Sequence, residues 1–335
     1  MSLNVALIGA GAWGIRILAA LLELNECSVV GVSDPAADAL RRAVGLGARG
    51  VALNDLLGST GVDALFIASP PALHAEHALL ALRAGKHVFV EKPMALRIED
   101  AERLAAEAAK RSLVISVGHI LLYHPIADAV GAALADSRLG ELTRWWSERS
   151  GSPGRRRSED AWWTLGPHDV ALMFHLLGPP RQLWAKRFGV GADNRVECGF
   201  WFDSGVQACI RVCTDGSFEG RAVRLEGTQA EFEVTDCGTS IEACWRASSQ
   251  EPVLMTKPVE NPLRAEIAAF LHAVKEGCRI PTEATAGVEV TRILELGDLS
   301  AKRGAPISLA SQGIDQNVRN AAPSWARSVG FRLRL

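Results

Sequence analysis

The chain has 335 residues, 48% of them hydrophobic and 22% charged, with a formal net charge of −2. This length predicts two domains, each large enough to bury a core, and no apolar run approaches the roughly 18 residues that a membrane span requires. The small net charge, without a basic or acidic tail, argues against nucleic acid as a partner.

The N-terminus and the cysteines indicate a cytoplasmic location. The first residues run directly into a strand pattern and lack the charged head and cleavage site of a signal peptide. The seven cysteines are scattered, without the tight clusters that a structural zinc site uses. We therefore expect reduced thiols and no metal.

A glycine-rich turn follows the first predicted strand. Residues 3–8 have the pattern of a buried strand, and Gly9, Gly11 and Gly14 follow in the spacing G-x-G-x-x-G before a helix pattern begins. Such glycines allow a tight turn, a close approach of pyrophosphate to the backbone, and close packing of the helix on the strand. The first turn of the helix offers free N–H groups and a positive dipole end to phosphate. The turn predicts a dinucleotide site.

An acidic residue ends the second predicted strand, at 28–33. Asp34 follows this strand at the distance from the glycines that dinucleotide-binding turns use. Its carboxylate can accept hydrogen bonds from the adenosine ribose and would repel a 2′-phosphate. Pro35 and Ala36 come next, so no basic side chain is adjacent. We therefore predict NAD in preference to NADP as the cofactor.

Three more strand patterns, at 64–69, 86–92 and 113–119, alternate with helix patterns. The alternation predicts a parallel, doubly wound sheet with helices on both faces, and ligands bind such sheets at the carboxyl ends of the strands. The residues at those ends are Ser69, Pro70, Pro71, Glu91, Lys92, Pro93, Gly118 and His119.

Lys92 is the first catalytic candidate. It ends an apolar strand on the ligand side, where its ammonium group can hydrogen-bond a substrate hydroxyl and stabilise the alkoxide that forms as hydride leaves. From its placement alone, a surface lysine at a strand end is an equally good interpretation.

The pattern changes after a predicted helix at 125–140. Strand-like segments with short turns recur between residues 141 and 236 and predict a largely antiparallel sheet, which helix patterns at 263–277 and 286–301 follow. The prediction is an α/β chain with an N-terminal Rossmann domain and a C-terminal α+β domain that carries a large open sheet. The predicted parts are an NAD-binding domain at 1–121, a substrate and oligomerisation domain at 122–310, and a tail at 311–335, flexible or wrapping.

Seven of the nine tryptophans lie in the second domain. Trp145 and Trp146 are neighbours in a predicted strand, so their side chains point to opposite faces of the sheet. Helices can cover one aromatic face, and substrate or a partner subunit can cover the other. The loop that follows contains the run Arg155–Arg157, which could bind phosphate, although a solvated charged loop is the simpler interpretation.

The segment Trp162–Val170 holds the second catalytic candidate. His168 follows a Gly-Pro pair, precedes an apolar helix pattern, and has Thr164 four residues before it. It fits three roles: an acid/base for a substrate hydroxyl, a structural histidine at a helix start, or a zinc ligand. Zinc needs three or four ligands, and only His175 follows on the same helix. Thr164 could also be the N-cap of this helix, which would place Pro167 in the first turn.

Several motifs together resemble the glucose–fructose oxidoreductase / inositol dehydrogenase (Gfo/Idh/MocA) family. They are the G-A-G-A-W-G turn, A-S-P-P-x-x-H at 68–74, V-x-V-E-K-P at 88–93, the G-P-H-D helix, and N-P-L-R-A-E-I-A-A-F-L-H-A-V-K-E-G followed by P-T. The likeness covers roughly residues 3–305. The motif W-x-L-G-P-H-D is similar to a subgroup associated with nucleotide-sugar and surface-polysaccharide pathways.

The resemblance implies a fold, a reaction and a set of site residues. It implies a homodimer or homotetramer through the second sheet, and NAD(P)-dependent oxidation of a secondary hydroxyl of a sugar, cyclitol or nucleotide sugar, or reduction of the matching ketone. By position, Lys92 and His168 correspond to the family's catalytic lysine and histidine. The residues expected to bind the cofactor are Gly9, Gly11, Ala12, Trp13, Gly14, Asp34, Ser69, Pro70, His74, Glu91 and Lys92.

Thr164 departs from the family pattern. Many members carry an aspartate four residues before the histidine, and a threonine hydroxyl can orient an imidazole but cannot act as a carboxylate. Either the proton relay runs through Lys92 and His168 alone, or activity is altered or lost. Two alternatives therefore stay open: an NAD(H)-binding sensor or assembly protein with little catalysis, and a redox-neutral enzyme that oxidises and re-reduces one sugar.

Overall fold

The computed structural model describes residues 2–151, 161–190, 193–214, 220–247 and 250–309. The chain forms two compact units: Met1–Tyr123 with Asn261–Arg292, and His124–Glu260 with the chain from Ile293 onward. The arginine run and the predicted tail lie outside the described residues. In the described part of the chain, no helix has the length and apolarity needed to cross a membrane.

The first unit contains a five-stranded sheet in the order β2-β1-β3-β4-β5, with every neighbouring pair parallel. The predicted doubly wound parallel sheet is therefore confirmed. Its strands are β1 (Leu3–Ile8), β2 (Cys27–Ser33), β3 (Ala64–Ile67), β4 (His87–Val90) and β5 (Ile115–Val117). Its first five helices are α1 (Ala12–Leu22), α2 (Ala37–Gly45), α3 (Leu53–Gly58), α4 (His74–Arg83) and α5 (Ile98–Lys110).

Strand side chains of the first unit alternate between two cores. Leu7 and Phe66 belong to the apolar cluster on one face of the sheet, whereas Ile8 and Ile67 belong to the cluster on the other. Successive side chains of a strand point to opposite faces, so helices on both sides bury the inner strands, completely in the case of β3. This explains why the strand sequences are continuous apolar runs.

A helix that comes late in the chain completes one of these cores. Helix α8 (Pro262–Glu276) begins after Asn261, whose side chain accepts a hydrogen bond from the Arg264 N–H, and it ends at Gly277 in the left-handed conformation. Its Phe270 packs edge-on against Phe66, with ring centroids 5.3 Å apart. The first unit is therefore discontinuous in sequence, a feature that periodicity does not reveal. The functions assigned to the predicted domains stay predictions.

The second unit contains a nine-stranded sheet, ordered β13-β12-β11-β10-β6-β9-β8-β7-β14. Strands β6 and β9 pair in parallel, and the other described pairs are antiparallel. The predicted, largely antiparallel open sheet is confirmed. Its strands are β6 (Leu142–Ser150), β7 (Gln182–Val190), β8 (Asp193–Trp201), β9 (Gln207–Cys213), β10 (Arg221–Gly227), β11 (Ala230–Asp236), β12 (Ser240–Ala247), β13 (Gln250–Pro258) and β14 (Ile307–Ser308).

Helices pack on the second unit's sheet, and the aromatic side chains lie on both of its faces. Trp145 is fully buried and its neighbour Trp146 is 36% exposed, as strand alternation predicts. The helices are α6 (Pro125–Ala135), α7 (Ala161–Leu177) and the later part of α9. Helix α9 spans Ala284–Arg303, and the boundary between the two units lies within it, after Arg292.

Candidate active site

The glycines of the first turn have different surroundings. Gly9 has a φ of +95°, and a Cβ atom there would lie 2.6 Å from the backbone of Ala68. A Cβ atom on Gly14 would lie 2.0 Å from the carbonyl oxygen of Gly9. A Cβ atom on Gly11, the residue before α1, would meet nothing within 4 Å. The first and third glycines are thus required by packing, whereas the second faces open space.

Asp34 fixes the shape of this turn. The Ala10 N–H donates to Asp34 Oδ2 at 2.6 Å, and the Ala36 N–H donates to Asp34 Oδ1 at 2.8 Å. Among the described side chains, none caps the N-terminus of α1. Its first N–H groups are therefore available to an anion, and each Asp34 oxygen keeps a further lone pair for a ligand hydroxyl.

His74 ties together the ends of two strands. Its Nε2 lies 2.7 Å from the Ser69 carbonyl oxygen and its Nδ1 lies 2.8 Å from the Pro93 carbonyl oxygen. Burial lowers the pKa of His74, although the contacts with the two carbonyl oxygens act to raise it, and a neutral ring would have one N–H to donate to only one of them. The Ser69 hydroxyl in turn lies 3.0 Å from His77 Nδ1. His74 thereby holds the segments that follow β3 and β4, and a contact of His74 with the cofactor stays a prediction.

Glu91 links the end of β4 to the glycine-rich turn. The Trp13 indole N–H donates to Glu91 Oε1 at 2.5 Å, and the Lys92 backbone N–H lies 3.2 Å from Glu91 Oε2. A Cβ atom on Gly118 would lie 2.8 Å from Glu91 Oε1, so a larger residue there would displace the Glu91 carboxyl group. Burial raises the pKa of Glu91 to about 7, although the Lys92 charge and the Trp13 hydrogen bond act to lower it.

Lys92 is half-buried directly after this strand, and its peptide bond with Pro93 is cis. His119 is buried nearby, and burial together with the Lys92 charge lowers the pKa of His119 to about 3. The same two influences, burial and the Lys92 charge, lower the pKa of His74. The Lys92 charge thus adds to burial in lowering the pKa of both imidazoles.

In the second unit, Thr164 and His168 lie on helix α7, one turn apart and hence on the same face. The helix spans Ala161–Leu177 and contains Pro167 in its interior. The interpretation of Thr164 as an N-cap is therefore wrong, and His168 is not at a helix start. Residue His168 is buried and Thr164 is half-buried.

Trp162 explains the additional turn of α7. Its indole N–H donates to the Leu294 carbonyl oxygen at 2.9 Å, and its side chain is fully buried. Cβ atoms on Gly166 and Gly297 would each lie 2.8 Å from its ring system. Two glycines thus make room for one indole. This packing keeps the residues before Pro167 in the helix, although proline removes one backbone hydrogen bond.

Sequence reasoning gave no role to Asp169. This residue is fully buried, accepts a hydrogen bond at Oδ1 from the Ser147 hydroxyl of β6, and has Oδ2 4.0 Å from an Arg149 nitrogen. The carboxylate therefore anchors α7 to the sheet at the position next to His168. A charged residue at the start of an otherwise apolar helical run is the signal that could have revealed it.

The structure gathers the predicted cofactor residues at one edge of the first sheet, and it gathers Thr164 with His168 on one helix of the second unit. The pairing of Lys92 with His168 stays a prediction. Two buried acids had no predicted role, Asp169 of α7 and Glu266 of α8, and His119 was predicted only as a residue at the ligand-binding end of its strand. Within the described residues, no group of three His, Cys, Asp or Glu side chains could hold a metal ion.

The sheet order, the glycine-rich turn and the residues at the strand ends define the class of fold: a Rossmann domain of the dinucleotide-binding type. Residues 3–119 match the family described as "Oxidoreductase family, NAD-binding Rossmann fold" (Gfo/Idh/MocA). The chain is 35% identical to a dTDP-3,4-didehydro-2,6-dideoxy-alpha-D-glucose 3-reductase from Saccharopolyspora spinosa over 297 residues, 82% of this chain and 88% of that protein. The chain belongs to the Gfo/Idh/MocA family.

Other matches are shorter or more distant. Inositol 2-dehydrogenase 3 of Saccharopolyspora erythraea is 40% identical over 129 residues, 37% of this chain and 38% of that protein. Matches with two further relatives cover 40% and 61% of their own length. A 3-ketoreductase from Actinomadura kijaniata, solved with NADP and TDP-benzene, has a TM-score of 0.79 at 20% identity and covers 90% of this chain and 98% of that one. At this identity the likeness establishes the fold.

Proposed function

We propose that the protein is an NAD-dependent oxidoreductase that oxidises a secondary hydroxyl of a sugar, cyclitol or nucleotide sugar, or reduces the matching ketone. The observation that carries the proposal is the direct link between the cofactor turn and the end of β4. Trp13 of the turn donates to Glu91, and Lys92 follows that residue at the ligand-binding edge of the sheet.

The residues of the first turn fit a dinucleotide. The open space at Gly11 and the uncapped N-terminus of α1, with Ala12 and Trp13 in its first turn, suit a pyrophosphate. Asp34 would accept hydrogen bonds from the adenosine ribose and would repel the 2′-phosphate of NADP. Gly9, Gly14, Ser69, Pro70 and His74 would shape this site, and the preference for NAD rests on Asp34 alone.

Lys92 and His168 would divide the chemistry at the substrate oxygen. When bound, the nicotinamide supplies the acceptor or donor of hydride. Lys92 would donate a hydrogen bond to the substrate oxygen and stabilise its developing negative charge. His168 would accept the hydroxyl proton during oxidation and return it during reduction. Thr164, one turn earlier on the same helix face, would orient His168 without taking up a proton.

Among the substrate classes, nucleotide sugars have the most direct support. A relative that matches 82% of the chain is named as a dTDP-sugar 3-reductase, and a structure with the same fold holds TDP-benzene. We place the protein in the cytoplasm as a homodimer or homotetramer that pairs through the second sheet. The exposed Trp146 on that sheet supports this assembly, because a large apolar side chain on an open face suits a protein interface.

Thr164 favours a second candidate function: a protein that binds NAD(H) with weak or no turnover. A panel of dTDP-sugars, UDP-sugars, free sugars and inositol, followed at the NADH absorbance band, separates the two. Oxidoreductase activity predicts NADH in amounts equal to the oxidised product, and a redox-neutral enzyme would form product without NADH. Binding of NADH without turnover on any member of the panel would favour the second candidate. In that event a gain in rate for Thr164→Asp would show that the relay is weakened.

A further inference from the structure

Strand β13 forms one edge of the second sheet. It pairs with β12 on one side, and within the described residues no strand pairs with its other side. The strand at the opposite end of the sheet order, β14, has only two residues, whereas β13 has nine. A long edge strand presents a row of backbone N–H and C=O groups that can pair with a further strand. The edge at β13 is therefore a place where this sheet can be extended.

Apolar side chains project from both faces of β13. Val253 is 46% exposed, Leu254 66% and Met255 45%. The strand register sets Val253 and Met255 opposite Trp245 and Ala243, which are buried on the face where α6 packs against β12, so Leu254 lies on the other face. A strand that is apolar on both faces is typical of the interior of a sheet, and its exposure at an edge is typical of an interface.

The backbone of β13 offers a short set of donors at its open edge. The Val259 N–H donates to the carbonyl oxygen of the residue before β12 at 2.9 Å, and every second residue of an antiparallel strand bonds to the same neighbour. Counted back from Val259, the N–H groups of Leu254 and Thr256 therefore point away from β12. Pro252 and Pro258 have no N–H. The open edge thus has two donors with a proline on each side.

This pattern is symmetric about Met255. Two copies of β13 related by a dyad at Met255 would lie antiparallel, with Leu254 of each copy opposite Thr256 of the other. Each such pair would exchange two hydrogen bonds. Prolines would face prolines, so no N–H would lose an acceptor. A dyad at Leu254 or at Thr256 would instead set one of these residues opposite a proline, which cannot return a hydrogen bond.

Side chains and charges are compatible with this pairing. The Met255 side chains of the two copies would meet at the dyad, where the Cα atoms lie about 4.5 Å apart. The one charged side chain between residues 252 and 258 is Lys257, which lies 3.5 Å from Asp128 of α6. The two lysines would lie at opposite ends of the pair, about 13 Å apart along the strands, and the Debye length at physiological salt is only about 8 Å. Repulsion between them would therefore be weak.

We propose that two copies of this chain join edge to edge through β13, in an antiparallel pair with its dyad at Met255, so that their nine-stranded sheets become continuous. The contact goes beyond the proposed function, since it needs neither cofactor nor substrate. A dyad contact is used up once two copies have met, so the assembly stays closed.

The size of this contact indicates what it assembles. It contains three large apolar side chains from each copy, and a stable interface buries about 800 Å² per partner. We therefore expect it to join pairs of copies that are already held together through the sheet face. This step rests on the proposed assembly, and it selects the homotetramer over the homodimer.

The first test is disulfide crosslinking across the dyad. The exposed Cys237 and Cys278 are first replaced by serine in all variants. Met255→Cys should then form an intermolecular disulfide under mild oxidation, because Cα atoms about 4.5 Å apart fit the geometry of that bond. Leu254→Cys is the matched control: its site is more exposed, but it lies diagonal to its counterpart, with Cα atoms about 7–8 Å apart. Non-reducing gels should show a strong dimer band for Met255→Cys and a weak one for Leu254→Cys. No band for Met255→Cys, or equal bands for both, overturns the proposal.

The second test uses charge at the dyad. Met255→Lys sets two lysines opposite each other and should weaken the edge contact by at least about tenfold. Analytical ultracentrifugation should show four copies in wild type and two in this variant. An equal mixture of Met255→Lys and Met255→Glu should restore four copies, because opposite charges then meet at the dyad. Leu46→Lys is the matched control at a residue of the first unit that is 44% exposed, and it should leave the assembly unchanged.

The outcomes separate the edge contact from the pairing through the sheet face. A change from four copies to two with Met255→Lys supports both contacts, and a change from two copies to one supports the edge contact and contradicts the other. An assembly that Met255→Lys does not weaken overturns the proposal, also where the chain after Leu309 covers the edge instead. A loss of assembly that the mixture does not restore overturns the dyad at Met255. Wild type that stays monomeric overturns both contacts and leaves the proposed reaction untouched.

Discussion

The two units hold their candidate site residues in different ways. In the first unit, the turn from Gly9 to Gly14 is shaped mainly by Asp34, within one β-α-β segment, and also by the close approach of Gly9 to the Ala68 backbone after β3. In the second unit, helix α7 is held by a hydrogen bond from Trp162 to a residue 132 positions later, and by the contact of Asp169 with β6. The cofactor turn is thus encoded locally, whereas the helix that carries His168 depends on distant parts of the chain. Substitutions in the two regions should therefore fail in different ways.

The largest expected effect is on catalysis. Lys92→Ala and His168→Ala should each lower kcat by roughly 10²- to 10⁴-fold on the true substrate, because each removes a group that acts on the substrate oxygen. Steady-state kinetics provides the measurement. NADH titration provides the control for His168→Ala, which should still bind the cofactor, and for Lys92→Ala it measures the predicted contact of Lys92 with the cofactor. Full kcat in either variant would show that its assigned role is wrong.

The local encoding of the turn predicts a contrast between two glycines. Gly14→Ala should destabilise the protein by about 3 kcal/mol or more, because its Cβ would collide with the carbonyl oxygen of Gly9. Gly11→Ala is the matched control, since nothing lies within 4 Å of its Cβ position. It should leave stability nearly unchanged and weaken NADH binding. Denaturant unfolding and NADH titration measure the two effects, and equal stability loss in both variants would contradict the contrast.

Distant anchoring predicts a stability effect at Asp169. Asp169→Ala should lower the free energy of unfolding by about 2–4 kcal/mol, because it leaves the Ser147 hydroxyl and the nearby Arg149 without their buried carboxylate. The double variant Ser147→Ala/Asp169→Ala should be less destabilising than the sum of the single variants, because the two residues share one hydrogen bond. Additive losses in denaturant unfolding would show that the two side chains act independently.

The smallest expected effect is a dependence of stability on pH at Glu266. Its pKa is raised in the folded protein, so the folded chain retains a proton that the unfolded chain releases above its ordinary carboxyl pKa. Stability linked to this group is complete at low pH and is lost as the pH rises toward the folded value. Glu266→Gln should therefore raise Tm by roughly 2–4 °C at alkaline pH, with a gap that narrows toward about pH 5. A gap independent of pH would contradict this assignment.

The sequence alone was enough to predict those features of the fold that depend on contacts between residues close together in the chain. The spacing of Gly9, Gly11, Gly14 and Asp34 predicted a turn in which a Cβ atom on Gly9 or Gly14 would collide with backbone atoms. Continuous apolar runs predicted the parallel strands, because both faces of that sheet are buried. Alternation predicted the strands from β6 to β11, because side chains on one face of these strands are more deeply buried than those on the other.

The remaining features depend on contacts that periodicity does not encode. Strand β13 was missed because Pro252 and three exposed apolar residues, Val253 to Met255, resemble a loop more than an alternating strand. The start of α7 was misplaced because Pro167 is typical of a first turn, whereas the packing of Trp162 extends the helix beyond it. Glu266 carried a signal, an acid within an apolar helix face, but periodicity does not show that its carboxyl is buried without a hydrogen-bond partner among the described residues.

The central claim is that the turn held by Asp34 binds NAD in preference to NADP. Dissociation constants for NADH and NADPH, measured side by side for wild type and Asp34→Asn, test it most directly. The account predicts that wild type binds NADH at least about tenfold more tightly, a difference of about 1.4 kcal/mol. The variant should lose most of this preference, because the amide lacks the charge that repels a 2′-phosphate. Tighter binding of NADPH by wild type would contradict the claim.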